Sequence, residues 1–210
     1  MTSASSVPIP SGLLVIIEGI DGAGKTTQVQ RLRDALQARR YGVTCTKEPT
    51  TGPHGTALRN SAITGRLAPA DELRLFLADR REHIRDVLQP ALDAGHVVIV
   101  DRYYLSNAAY QGAAGLDPED ILQQNEAFAL IPDVAFILDC PVDTGLARIA
   151  SRGDKANHFE GRENLERVQT IFTALQRPYI RHVDATVGTD AVTDVLLDEI
   201  QQRLDAKMER

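Results

Sequence analysis

Cysteine is scarce in this chain: Cys45 and Cys140 are the only two in 210 residues, and neither stands at a metal-type spacing from a histidine. Each falls in what reads as a core strand, so reduced core residues of a cytosolic protein are expected. Long apolar runs are lacking too. None approaches the ~20 residues of a membrane span, and the opening MTSASSVPIPSG has neither the basic start nor the apolar stretch of a secretory signal. Residues 1–12 are therefore expected to form a flexible tail, and the protein is expected to be cytoplasmic. Positive charge is in deficit: 23 Lys and Arg against 29 Asp and Glu leave a formal net charge of -6. That balance argues weakly against a nucleic-acid or membrane-surface partner, although it leaves room for local basic pockets. Internal repeats and low-complexity segments are absent as well.

What is present has the balance of an ordinary globular protein, 43% hydrophobic and 25% charged. The length suits one domain, taken here as residues 13–210. LLVIIE (Leu13 to Glu18) is an apolar run ending at glycine, the pattern of a strand buried on both faces. A helix is expected from Lys25 to about Arg39, then a strand at Val43 to Lys47 and a loop marked by Pro49, Gly52 and Pro53. A long helix should run from about Pro69 to Ala94. VVIVD (Val97 to Asp101) and VAFILD (Val134 to Asp139) are the next strands, with a helix capped by Asp117 between them. Helices near Val142 to Arg152 and Asn164 to Gln176, a short strand near His182 to Ala185 and a C-terminal helix from about Ala191 complete the alternation. Strands alternating with helices imply a parallel sheet covered on both faces, with ligands at the carboxyl ends of its strands.

Gly19 to Thr26 fits G-x-x-x-x-G-K-[ST] between a strand and a helix, the context that makes this motif a phosphate loop. Its glycines let backbone N–H groups converge on phosphate oxygens, helped by the positive end of the next helix. Lys25 would reach the β- and γ-phosphates, and Thr26 would ligate Mg²⁺. The motif identifies a nucleotide, not a reaction. A small-molecule kinase, a GTPase-type switch and an assembly ATPase are all open, although no N-K-x-D motif supports the switch. Asp21 is the odd member, an acid inside a loop built for anions; it is either a substrate contact or an exposed acid with no partner.

Three further places carry polar residues where bland structure predicts none. Leu73, Leu77, Ile84 and Leu88 form a helical stripe, and Arg80 falls on it. Phe76 lies one turn earlier, so ring and guanidinium can meet one planar ligand. The competing reading is an internal salt bridge from Arg80 to Asp79 or Glu72, and the two stand even. DRYYLSNAAYQG (Asp101 to Gly112) begins at a strand's carboxyl end, where Asp101 can orient Mg²⁺ and Arg102 can bridge donor and acceptor phosphates. Asn107 and Tyr110 share a face there; simple packing is the alternative for Tyr110, and a pair with Asp101 the alternative for Arg102. Arg148 and Arg152 stand one turn apart before the polar stretch GDKANHFEGRE. They suit a closing phosphate-transfer site, but a solvated charged face is the default without further context.

Taken together, EGIDGAGKTT, EPTTGPHGTALR, LFLADRREH and DRYYLSNAAYQG resemble the thymidylate kinase family over about Leu13 to Asp184. The resemblance implies a five-stranded parallel sheet flanked by helices, a P-loop kinase fold with a short lid at about 153–162. It also implies transfer of the ATP γ-phosphoryl group to dTMP, with Mg²⁺, by a homodimer. ATP would be held by Gly19, Ile20, Asp21, Gly22, Ala23, Gly24, Lys25, Thr26 and Thr27, with Asp184, Ala185 and Thr186 bordering the adenine. Phe76 would stack on thymine, Arg80 and Asn107 would contact its edge, and Tyr110 would lie against the deoxyribose. Arg59 and Arg102 would hold the dTMP phosphate, with Glu48 and Gln111 also in the acceptor site and Asp21 accepting from the 3′-hydroxyl. Lys25, Asp101, Arg102, Arg148 and Arg152 would carry the transfer, and Thr26 and Asp101 would support the metal. A deoxynucleoside kinase is the runner-up, with Glu48 as its only nearby base. Some family members carry a basic residue where this chain has Gly22, so Arg148 and Arg152 would have to act from the lid side. The lid itself reads NHFE (Asn157 to Glu160) in place of the common D-R-x-E, and Lys47 replaces an arginine.

Overall fold

Leu13–Glu18 (β1) is apolar up to its last residue and buried along its whole length, as a central parallel strand must be. Val43–Lys47 (β2), Val97–Asp101 (β3), Val134–Asp139 (β4) and Ile180–Asp184 (β5) complete a sheet in the order β2-β3-β1-β4-β5. Every pairing is parallel, so the computed structural model, which describes residues 7–65, 67–151 and 161–209, has the expected architecture. The chain leaves β1 for β2 on one side and leaves β3 for β4 on the other. The adjoining carboxyl ends of β1 and β3 therefore frame the crevice where such sheets take ligands.

Helices cover both faces of the sheet. They are Lys25–Ala38 (α1), Pro53–Thr64 (α2), Pro69–His83 (α3), Gln89–Asp93 (α4) and Tyr104–Ala113 (α5). Pro118–Glu126 (α6), Val142–Ser151 (α7), Arg162–Ala174 (α8) and Thr189–Met208 (α9) follow. The Asp117 carboxylate caps α6 by accepting from the Glu119 N–H at 2.8 Å, as its position before Pro118 predicts. The expected loop after β2 is shorter than its prolines suggest: Pro53 opens α2, a position where its missing N–H costs nothing. The single long helix expected from Pro69 is interrupted, with a π turn at Ile84–Leu88 between α3 and α4. Pro90 supplies the reason, because its ring excludes a normal bond to the carbonyl four residues earlier and the ladder must widen.

Two other expectations need correction. Residues 7–12 of the supposed tail are docked: Val7 N–H donates to Arg40 O at 2.9 Å, and Ile9 N–H to Gly95 O at 3.1 Å. The Ile9 side chain is buried in the core. Residues 1–6 lie outside the described ones. Cys45 is exposed, not a core residue, since β2 is an edge strand; Cys140 is buried as expected.

Candidate active site

The register that pairs Ile17 of β1 with Asp101 of β3 brings the phosphate loop beside the DRYY segment. Thr26 Oγ1 donates to Asp101 Oδ2 at 2.6 Å across that seam. Lys25 is buried, with Nζ donating to the carbonyls of Gly19 (3.1 Å) and Ile20 (2.7 Å). Burial, with the Arg102 guanidinium nearby, lowers its pKa to about 8. Gly22 adopts φ 82°, and a Cβ there would stand 2.2 Å from the Gly145 carbonyl oxygen of α7. A basic side chain at this position, as some family members carry, has no room in this chain.

Two cavities open from the seam. A groove of about 510 Å³ runs over Gly22, Gly24, Lys25, Thr26, Thr27, Lys47 and Asp101. A second cavity of about 260 Å³ is lined by Phe76, Arg80, Asn107, Tyr110 and Gln111, with Leu58, Ala62, Glu72, Tyr103 and Ser106. Both include Asp21, Glu48, Pro49, Arg59 and Arg102. Gly19, Ile20 and Ala23 line neither cavity, and neither do Asp184, Ala185 and Thr186.

Asp21 is not a stray acid. Arg102 Nη2 donates to its Oδ1, and the Tyr110 hydroxyl donates to its Oδ2 at 2.9 Å. Burial works to raise the Asp21 carboxyl, but Arg102 and Lys25 outweigh it and hold the pKa at about 2. Arg102 pairs with Asp21 rather than with its neighbour Asp101. It sits at φ 70°, a left-handed conformation rare for a side chain of this size. Its guanidinium also donates to Gly19 O (3.3 Å) and Ser106 Oγ (3.2 Å). Burial opposes its charge, yet Asp21 and the surrounding acids hold its pKa above the usual arginine value. Arg59 donates to the carbonyls of Pro49 (2.9 Å) and Thr50 (2.5 Å).

Arg80 is fully buried and does form an ion pair, but with a partner other than those expected. Its Nη2 donates to Glu48 Oε2, while Nη1 donates to Asn107 Oδ1 at 2.8 Å and to Asn125 Oδ1. Asp79 is taken by Thr50, whose N–H and hydroxyl donate to it at 2.8 and 2.6 Å. Glu72 accepts instead from Gln111 Nε2 at 3.4 Å. The i, i+4 stripe marks Arg80 as buried, but its partner is the residue that follows β2, which no local spacing shows. Phe76 lines the same cavity, so α3 delivers ring and guanidinium together.

Arg148 Nη1 donates to Gly22 O (3.4 Å) and its Nη2 to Ala185 O (3.2 Å), tying α7 to the phosphate loop and to the turn after β5. In that turn the Asp184 carboxylate accepts from the Thr186 N–H (2.8 Å) and hydroxyl (2.6 Å). Arg152 and residues 153–160 of the expected lid lie outside the described residues.

The expected site lacks one residue that the structure brings forward. Glu18 is completely buried and accepts from the N–H groups of Tyr103 (2.8 Å) and Ser106 (3.1 Å) and from the Ser106 hydroxyl. Burial pushes its carboxyl up to about 7, against those donors. It thereby joins β1 to the start of α5, the helix that carries Asn107, Tyr110 and Gln111. The signal was an acid closing a strand buried on both faces.

A phosphate loop, a carboxylate-hydroxyl pair at its rim and a second pocket meeting it at two arginines define a P-loop nucleotide kinase. A family model described as thymidylate kinase matches residues 17–195. A thymidylate kinase of Xanthomonas euvesicatoria pv. vesicatoria is 54% identical over 183 residues, 87% of this chain and 80% of that protein. One of Xylella fastidiosa is 49% identical over 202 residues, 95% of this chain and 92% of its relative. The chain belongs to the thymidylate kinase family.

Proposed function

We propose that this chain transfers the γ-phosphoryl group of ATP to dTMP, giving dTDP and ADP. The observation that carries the reading is the meeting of the two cavities at Asp21, Arg59 and Arg102. A donor phosphate chain in the larger groove and an acceptor phosphate in the smaller cavity would then face each other for in-line transfer. Catalysis of this kind needs positioning and charge neutralisation, with no covalent intermediate. The acceptor phosphate is already ionised, so no strong base is required.

In this reading Lys25 exchanges its loop carbonyls for phosphate oxygens, and Arg148 supplies charge from α7, with Arg152 from the lid side. Arg59 and Arg102 hold the dTMP phosphate, Phe76 stacks on thymine, and Tyr110 lies against the sugar whose 3′-hydroxyl donates to Asp21. Arg80 and Asn107 take the edge of the base. Arg80 Nε is buried without a partner among the described residues, so the guanidinium beside the acceptor cavity carries one unmet donor. Glu48 and Gln111 hold these groups in place, and Asp184, Ala185 and Thr186 border the adenine.

The Thr26 hydroxyl and Asp101 carboxylate are hard oxygen donors of the kind Mg²⁺ takes alongside phosphate oxygens and waters, so these residues fit the ion. Bound there with ATP, Mg²⁺ would neutralise charge on the phosphates. Among the described residues no helix is long and apolar enough to cross a membrane, which suits a cytoplasmic enzyme; a homodimer without nucleic-acid or membrane partners completes the reading.

A deoxynucleoside kinase is less well supported. It would need Glu48 as a base, and both Glu48 oxygens are engaged, by Arg80 and His83. An assembly ATPase leaves the second cavity unexplained. Steady-state assays with ATP-Mg²⁺ and dTMP, dUMP, thymidine or no acceptor separate the readings; turnover of thymidine but not dTMP would refute ours. In the same assay Asp21→Asn is expected to raise the dTMP KM about tenfold, the effect of losing one charge-assisted hydrogen bond, with the ATP KM little changed.

A further inference from the structure

His83 takes no part in the steps above, yet it is buried with both ring nitrogens engaged. It follows Arg80 by three positions on α3, so the two side chains share a face. Its Nδ1 lies 3.0 Å from Glu48 Oε1, and its Nε2 lies 2.8 Å from Thr46 Oγ1 on β2. The other Glu48 oxygen accepts from Arg80. A carboxylate facing an arginine offers only acceptors, so Nδ1 carries a proton and donates to Glu48, while Nε2 pairs with the Thr46 hydroxyl.

The chain of bonds runs from Thr46 through His83 and Glu48 to Arg80. At its end Arg80 also meets Asn107, another residue of the acceptor cavity. Glu48 therefore has one oxygen for the guanidinium and one for the imidazole. Remove the imidazole, and a buried carboxylate oxygen loses the His83 N–H that faces it and the carboxylate can turn. We infer that His83 is a positioning residue for acceptor recognition, holding Glu48 in the orientation that keeps Arg80 at the edge of the nucleobase. It sets the affinity for dTMP without touching it, much as the second partner of a metal-bound or catalytic histidine fixes its orientation. The inference rests on the acceptor reading of the smaller cavity.

The test is a set of variants assayed for the KM of each substrate and for kcat. His83→Leu is expected to raise the dTMP KM about tenfold, the loss of one hydrogen bond to a buried charged group, with the ATP KM and kcat within about twofold of the unchanged enzyme. His83→Asn, which returns an N–H donor near the Nδ1 position, should recover most of that loss. Thr46→Val removes only the hydroxyl behind the ring; it should raise the dTMP KM about threefold and decides the matter if His83→Leu fails to fold. A dTMP KM unchanged in both His83→Leu and Thr46→Val overturns the inference, as does an equal rise in the ATP KM. Failure of His83→Asn to recover what His83→Leu loses also overturns it, since packing alone would then explain the effect. Arg80→Ala separates the two levels of argument. If Arg80→Ala leaves the dTMP KM unchanged, the acceptor reading itself has failed. If Arg80→Ala raises it while the His83 and Thr46 variants do not, only the inference about His83 has failed.

Discussion

Glu18 shows how a single residue can link stability to the site. Its carboxyl titrates near 4.5 in an unfolded chain and near 7 in the fold, because burial costs the charged form more than its three donors return. Below pH 4.5 both states hold the proton and its contribution is complete. Between pH 4.5 and 7 the unfolded chain ionises first, so stability falls as pH rises, and above 7 the loss is complete. Urea unfolding of the unchanged protein and of Glu18→Gln at pH 5 and 8 should therefore differ in their change by about 2–3 kcal/mol, the variant losing less on going to pH 8. A pH-independent difference would mean that the donors, not burial, govern the group. Asp21 has the opposite balance: it is half-buried, and Arg102 and Lys25 hold it ionised. Its placement inside a phosphate loop was visible in the sequence as an anomaly. Its partners Arg102 and Tyr110 lie 81 and 89 positions away, and only the fold could bring them in.

At the scale of elements, the contact between the phosphate loop and α7 decides where transfer charge can come from. Gly22 and Gly145 meet so closely that each lacks room for a Cβ: one at Gly145 would lie 2.7 Å from the Asp21 carbonyl oxygen. Alanine normally favours a helix over glycine by about 1 kcal/mol. Here Gly145→Ala is expected to lower stability by about 1–3 kcal/mol, because the added methyl must push the loop away. Thermal unfolding and the ATP KM check this together: the melting temperature should fall and the ATP KM should rise severalfold. A variant that melts higher with an unchanged ATP KM would show that the loop yields freely. The same contact gives the absence of a basic residue at Gly22 a steric reason, which the sequence could report only as a departure from the family. The π turn before Pro90 is similar: the apolar stripe predicts one continuous helix, and the proline within it widens the ladder at Ile84–Leu88.

Across the whole molecule, the two ends of the sheet do different work. The carboxyl ends of β1 and β3 hold the site, while residues 7–12 close the amino ends through bonds to Arg40 and Gly95 and through the buried Ile9. Ile9→Ala is expected to cost about 2–4 kcal/mol in denaturant unfolding while leaving the KM values for ATP and dTMP unchanged. A loss of activity without a loss of stability would place that strap in the wrong role. The strands themselves, their alternation with helices and the phosphate loop were legible because each is written in local periodicity or in a contiguous motif, and those depend on neighbours along the chain. The motif segments also carried the resemblance that pointed to the acceptor. Pairing was not legible in the same way. That Arg80 binds Glu48 rather than Asp79 or Glu72, that Glu18 holds the start of α5, and that Ile9 belongs to the core all depend on segments far apart in sequence. A buried charge or side chain declares that it needs a partner, and only packing in three dimensions selects which one it gets.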